Sequence, residues 1–225
     1  MIRKSWWKIA AVILLVYTFS AGFLIKVPHI GNLYESIRNL FFHVPMWFGM
    51  MALLTVSVIY ALLYLRNPSA KNDIYSTEYA KTGILFGVLG LITGAIWANY
   101  TWGEPWSNDP KQILAAVALL IYAAYFILRN SIPDLDKRAK IAAVYNVFAC
   151  AMLIPTLFII PRMVESLHPG GQGVDGNPGM NGKDLDPTMR MVFWPAVIGW
   201  TLLAVWVTTL KIRFALIKEK KLSNA

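Results

Sequence analysis

Six apolar runs alternate with short polar stretches, at about 6–25, 44–65, 82–102, 112–128, 141–161 and 191–210. Each approaches the ~20 residues that a helix needs to cross a bilayer. None has Asp, Glu, Lys or Arg at its middle, where one would cost about 2.5–3.5 kcal/mol to insert. A helix satisfies its own backbone groups in lipid. The pattern therefore predicts an all-α membrane protein, a single domain over 1–225 with six transmembrane helices. The fourth run is the shortest and is extended by its polar start.

The stretches between the runs divide into two kinds. Residues 66–81 and 129–140 carry mixed charge and read as connectors. The others, 26–43, 103–111 and 162–190, hold more pattern. In the first of these, Asn32 can cap a helix with Glu35 at the capping-box position. Leu33, Ile37, Leu40 and Phe41 then share one face. A short amphipathic helix lying on the membrane surface is predicted, delivering His43 to the mouth of the second span. Residues 170–182 are glycine-rich and read as a mobile loop. Asp175, Asn177, Asp184 and Asp186 miss the EF-hand pattern, because Gly179 stands where an oxygen ligand is needed. Asp186-Pro187 begins the approach to the last span.

Composition agrees with this layout. The 225 residues are 57% hydrophobic and 15% charged, which excludes a soluble domain of ordinary kind. A net charge of +9 would suggest nucleic acid in a soluble protein; here it reads as basic loops. Fifteen lysines and arginines fall on the side of the two termini and six on the other. The bias puts both termini in the cytoplasm. The first run has no Ala-x-Ala site after it, so it reads as a retained span rather than a cleaved signal peptide. Cys150 is the single cysteine, which rules out an internal disulfide and reads as a core residue. No phosphate-binding glycine pattern occurs, so the chain shows no ATPase of its own.

Chemistry concentrates on the outer side. Trp97, Tyr100, Trp102 and Trp106 fall within ten residues, closed by Asp109-Pro110. Such a cluster can be an aromatic belt or a platform for a large planar ligand. All three histidines, His29, His43 and His168, fall on this same side. His43 precedes the second span and His168 follows the fifth, so both can lean over the end of the third. Two imidazoles facing a plane between aromatic walls are what haem iron accepts as axial ligands. Taken singly, each histidine also reads as an interfacial residue, and His29 has no evident partner. Zinc would want more ligands at tighter spacing. Arg38 and Arg162 lie near the two histidines, placed either to hold haem propionates bidentately or to anchor helix ends. Asp109-Pro110-Lys111-Gln112 is a helix start, and capping alone accounts for the Asp109 carboxylate.

Trp102-Gly103-Glu104-Pro105-Trp106-Ser107-Asn108-Asp109 resembles the tryptophan-rich WGxxWxWD signature of the haem-handling proteins of cytochrome c biogenesis. Phe42-His43-Val44-Pro45, Ser166-Leu167-His168 and Asp186-Pro187-Thr188-Met189 resemble the IHVP, TLH and PSM segments of that family's haem exporter C branch. Two departures stand out. Asn108 replaces the third tryptophan of the signature, and Asp109-Pro110-Lys111 resembles the WDPK of the cytochrome c synthase branch.

The resemblance implies haem b held on the extracytoplasmic face of the plasma (inner) membrane. His43 and His168 would be the iron ligands, with Trp97, Trp102, Trp106, Asp109, Arg38 and Arg162 around the cofactor. It implies delivery of haem to a haem chaperone. It further implies an ABC transporter ATPase, a second permease subunit and a small single-span subunit as partners in the bilayer, and no catalytic residue. Two other readings stay open. One is a compact cytochrome c synthase that attaches haem itself. The other is a cytochrome b-like electron-transfer anchor, which would normally carry its histidine pairs inside the spans.

Overall fold

The computed structural model describes residues 5–28, 33–168 and 185–223. His29, Asn32 and the glycine-rich segment 170–182 lie outside the described residues. The chain is all-helical there, and six helices are long and apolar enough to cross a membrane. They are α1 (Trp6–Leu24), α2 (Leu40–Arg66), α3 (Ala70–Trp102), α4 (Pro110–Ser131), α5 (Leu135–Ile154) and α7 (Pro187–Ser223). A π-helical turn, Pro155–Ile159, joins α5 to the short α6 (Ile160–Met163). Pro155 and Pro161 lack the N–H that would close a regular turn, and the wider turn takes up the missing bonds.

The helices outrun the apolar runs that announced them. The stretch 66–81 is mostly the start of α3. Ser69 caps that start, its hydroxyl accepting from the Asn72 N–H at 3.2 Å, and Asp73 sits favourably in the first turn. The stretch 129–140 is likewise helical except at 132–134, with Asp134 capping α5. Charge ends a hydrophobic run, but it does not end a helix whose last turns leave the hydrocarbon.

The surface helix expected over 33–41 takes another form. Tyr34–Asn39 is a 3-10 turn that runs straight into α2. Its apolar face is not laid on the membrane. Ile37, Leu40 and Phe41 are buried against Met189, Val192 and Phe193 of α7. The sequence pattern was amphipathic, but the partner for that face is protein.

The tightest contact in the bundle is between α2 and α3. Gly83, Gly87, Gly90 and Gly94 form a stripe along α3, and α2 seats a side chain over each. A Cβ at Gly83 would fall 2.9 Å from Leu54, at Gly87 2.6 Å from Met50, at Gly90 2.9 Å from Trp47, and at Gly94 2.6 Å from His43. Small residues at this spacing let helix backbones approach in a membrane, where packing replaces the hydrophobic drive.

Midway along the bundle, Asn146 of α5 ties four helices together. Its Nδ2 donates to Ser57 Oγ at 2.7 Å and to Ser76 Oγ at 3.0 Å. Its Oδ1 accepts from the Tyr122 hydroxyl at 3.3 Å. Ser57 donates onward to the Ser76 carbonyl at 2.6 Å. The network is satisfied within itself, as buried polar groups in an apolar medium must be. Cys150 sits half-buried nearby as a free thiol. Replacing Asn146 by Ala removes its bonds to Ser57, Ser76 and Tyr122, leaves the Tyr122 hydroxyl only the Cys150 thiol, and is expected to cost about 1 kcal/mol. The measurement is the thermal unfolding midpoint in detergent, and an unchanged midpoint would remove the network from the stabilising contacts.

Candidate functional site

At one end of the bundle meet the start of α2, the end of α3, the start of α4 and the segment after α6. His43 stands in the first turn of α2. Its Nδ1 lies 2.9 Å from the Gly90 carbonyl and 3.2 Å from Thr93 Oγ1. A carbonyl only accepts, so Nδ1 carries the proton and Nε2 is left with its lone pair. The missing side chain at Gly94 provides the room for the ring. Edge-on indoles stand on two sides, Trp97 with ring centroids 6.0 Å apart and Trp47 at 6.3 Å. Trp97 is itself fixed, its Nε1 donating to Ser36 Oγ at 3.2 Å.

His168 is held differently. Asp109, the N-cap of α4, accepts from the Lys111 N–H at 2.9 Å, as its place before Pro110 predicts. The same carboxylate also clasps the segment after α6. It accepts from Leu167 N–H at 2.7 Å, Ser166 Oγ at 2.9 Å and His168 Nδ1 at 2.9 Å. The carboxylate fixes the proton on His168 Nδ1 and leaves Nε2 as the lone-pair nitrogen, the arrangement that orients metal-binding imidazoles. Trp102, at the end of α3, meets this ring edge-on at 4.8 Å. Among the described residues, neither Nε2 takes part in a hydrogen bond. The two imidazoles lie near enough for their charges to repel.

Other site residues of the sequence reading fall elsewhere. The Asp109 carboxylate faces inward. The residue is 3% exposed and turned wholly toward protein donors, so its part is to position His168. Arg38 is engaged too. Its Nε donates to Glu35 at 2.6 Å, and its Nη1 reaches the carbonyls of Gly22 and Ile25 at 2.9 and 2.8 Å. It caps the end of α1, the helix-anchoring alternative, and only Nη2 is left to meet a propionate. Arg162 is exposed, donates to the Phe158 carbonyl and lies near enough to Lys111 for the two charges to repel. Trp106 is 40% exposed, its Nε1 donating to Asn108 Oδ1 at 3.1 Å.

That last bond gives a reason for Asn108. The residue has φ +56°, in the left-handed region that asparagine tolerates better than a bulky side chain. Gly103 turns the chain at φ +86° to end α3. Gln112 does not complete a capping box. Its Oε1 instead accepts from Ser107 N–H at 3.0 Å, and its Nε2 donates to the Pro105 carbonyl at 3.3 Å. It fastens the tryptophan loop from beneath. Two kinds of residue escaped the sequence reading. The glycines behind His43 had a legible signal in their four-three-four spacing; Ser166 was named only as part of the Ser166-Leu167-His168 segment, with no role for its hydroxyl.

Six apolar helices define a multi-span membrane protein, with two oriented imidazoles and their indoles gathered at one end. The chain belongs to the cytochrome c assembly protein family, whose profile matches residues 2–168. It is thus a membrane component of cytochrome c biogenesis, in a family that handles haem. It is similar to the cytochrome c biogenesis protein CcsA of a Prochlorococcus marinus strain, 47% identical over 80 residues, 36% of this chain and 25% of that one. Its likeness to CcsA of Cuscuta reflexa is 28% over 145 residues, 62% of this chain and 47% of that one. The chain therefore spans between a quarter and about half of these relatives.

Burial pushes the Asp109 carboxyl up, but the His168 ring and the N–H and O–H donors around it outweigh burial and hold it well below the usual carboxylate range. A depressed folded pKa adds stability above the unfolded value of 3.8 and loses it as pH falls further. His168 donates from Nδ1 whether the ring is neutral or charged. The segment 166–168 is therefore expected to stay protected in hydrogen exchange from pH 8 down to about 4 and to loosen only below that. Loosening between pH 5 and 7 would contradict the clasp.

Proposed function

We propose that this protein holds haem between His43 and His168 at the extracytoplasmic end of the bundle and passes it to a haem chaperone. One observation carries the reading. Both imidazoles are oriented through Nδ1, by a carbonyl in one case and a carboxylate in the other, so both keep Nε2 for a metal. Haem is cargo here. Trp97 and Trp102 would wall the porphyrin and Trp106 would lie at its open edge. Arg162 is better free than Arg38 to meet a propionate. The excess of basic residues at the opposite end supports the orientation. An ABC transporter ATPase, a second permease and a small single-span subunit belong to the same proposal.

A second reading has its own support. Asp109-Pro110-Lys111 and the likeness to proteins named CcsA favour a unit that attaches haem to apocytochrome. Cytochrome maturation in cells given this gene without chaperone or ATPase genes would decide for it.

The first test is the absorption spectrum of the protein purified with added haem. His43→Ala and His168→Ala are each expected to lose the bis-imidazole bands, and their retention in the double variant would end the assignment. Gly94→Ala should act like His43→Ala, because its Cβ displaces the imidazole. The second test is Asp109→Asn. Asparagine still caps α4, but a neutral partner makes the His168 ring a weaker donor to iron. The haem midpoint potential is expected to rise, and the thermal midpoint to fall as the charge-assisted bonds to residues 166–168 weaken. An unshifted potential would reduce Asp109 to its capping role.

A further inference from the structure

A second polar site lies at the other end of the bundle, between α3, α4 and α5. Ile74, Thr77, Glu78 and Lys81 of α3, Phe126, Arg129 and Asn130 of α4, and Arg138 of α5 line a cavity of about 220 Å³. Glu78 and Gly94 are sixteen residues apart on α3, so about 25 Å of helix separates this cavity from His43. Nothing in the haem reading uses it.

The charges of the cavity do not balance within it. Arg129 is answered by Asp73 in a bidentate pair at 2.7 and 2.5 Å. Lys81 is answered by Glu78 at 2.6 Å. Arg138 has no ion pair among the described residues, and its buried Nε has no hydrogen-bond partner there. A guanidinium with a desolvated, unanswered N–H is costly unless an acceptor from outside completes it. The cavity is small beside the ~300–1,000 Å³ of ordinary small-molecule pockets, so it takes a head group rather than a whole ligand.

We propose that this cavity binds the phosphate of an anionic phospholipid. The ligand chemistry, a phosphate oxygen on Arg138 with Lys81 and Asn130 beside it, could also be met by free phosphate. Position and surroundings favour the lipid. The cavity lies where the last turn of α4 and the first turns of α5 leave the apolar layer. Phe126 forms part of its wall, and Ile127 of α4 and Leu135 of α5, on the same two helix ends, are exposed, giving an apolar surface for the acyl chains that free phosphate does not need. Basic pockets between helix ends are where anionic head groups bind.

The test uses the full chain, delipidated in detergent. Phosphatidylglycerol is expected to raise the thermal midpoint and to remain bound in native mass spectrometry, and phosphatidylcholine to do neither. Arg138→Gln should weaken phosphatidylglycerol binding roughly tenfold, the loss of one charge-assisted bond. Asn130→Asp leaves every basic residue in place but adds a negative charge to the cavity. It should abolish the preference for the anionic lipid, and it carries the test if Arg138→Gln does not fold. Equal binding of phosphatidylcholine, unchanged affinity in the variants, or a midpoint raised as much by inorganic phosphate would each overturn the proposal.

Discussion

The approach of α2 to α3 is the constraint from which the site follows. In lipid there is little hydrophobic gain in joining two helices. The contact rests on dispersion between surfaces that fit, and dispersion falls away within an ångström of misfit. The glycine stripe removes four side chains from α3 where Leu54, Met50, Trp47 and His43 of α2 arrive. The ladder ends at the imidazole. The packing that holds the bundle together thus also brings His43 against the Gly90 carbonyl and sets its tautomer. Any side chain at position 94 would disturb both at once.

Asp109 plays the corresponding part for the other histidine by a different physical means. A buried carboxylate is costly unless its lone pairs are answered. Here four donors answer it, from Lys111, Ser166, Leu167 and His168. Two of them also order the backbone between α6 and His168, a stretch without helical structure of its own. The charge is therefore held in place by the segment that it organises. A neutral side chain could cap α4, but it would not grip that segment with the same strength.

Helix number and type were legible because lipid imposes one rule on every span: apolar length without central charge. The boundaries were less legible, since that rule is silent once a helix leaves the membrane, as α3 does between Ala70 and Lys81. The amphipathic face of Ile37, Leu40 and Phe41 could be read, but not what it would meet. Periodicity gives a direction and not a partner. Arg38 illustrates the same limit: the sequence left cofactor contact and helix anchoring both open, and the carbonyls it meets, of Gly22 and Ile25, could not be read from spacing. Asp109 was visible as a cap because capping is local. Its hold on His168 spans 59 residues and leaves no trace in spacing.

The two imidazoles differ in how firmly they are held, and this bears on the proposed keeping and release of haem. His43 belongs to a helix whose shift would unseat the whole glycine ladder. His168 belongs to a short irregular segment secured chiefly by one carboxylate. Moving it requires breaking the Asp109 bonds at the surface end of α4 and the edge contact with Trp102. On the haem reading, the iron would leave from the His168 side while His43 and its indoles stay fixed. A partner able to displace residues 166–168 could then trigger release without disturbing the membrane-embedded core. On that proposal, the element that would store binding energy is separate from the element that would let go.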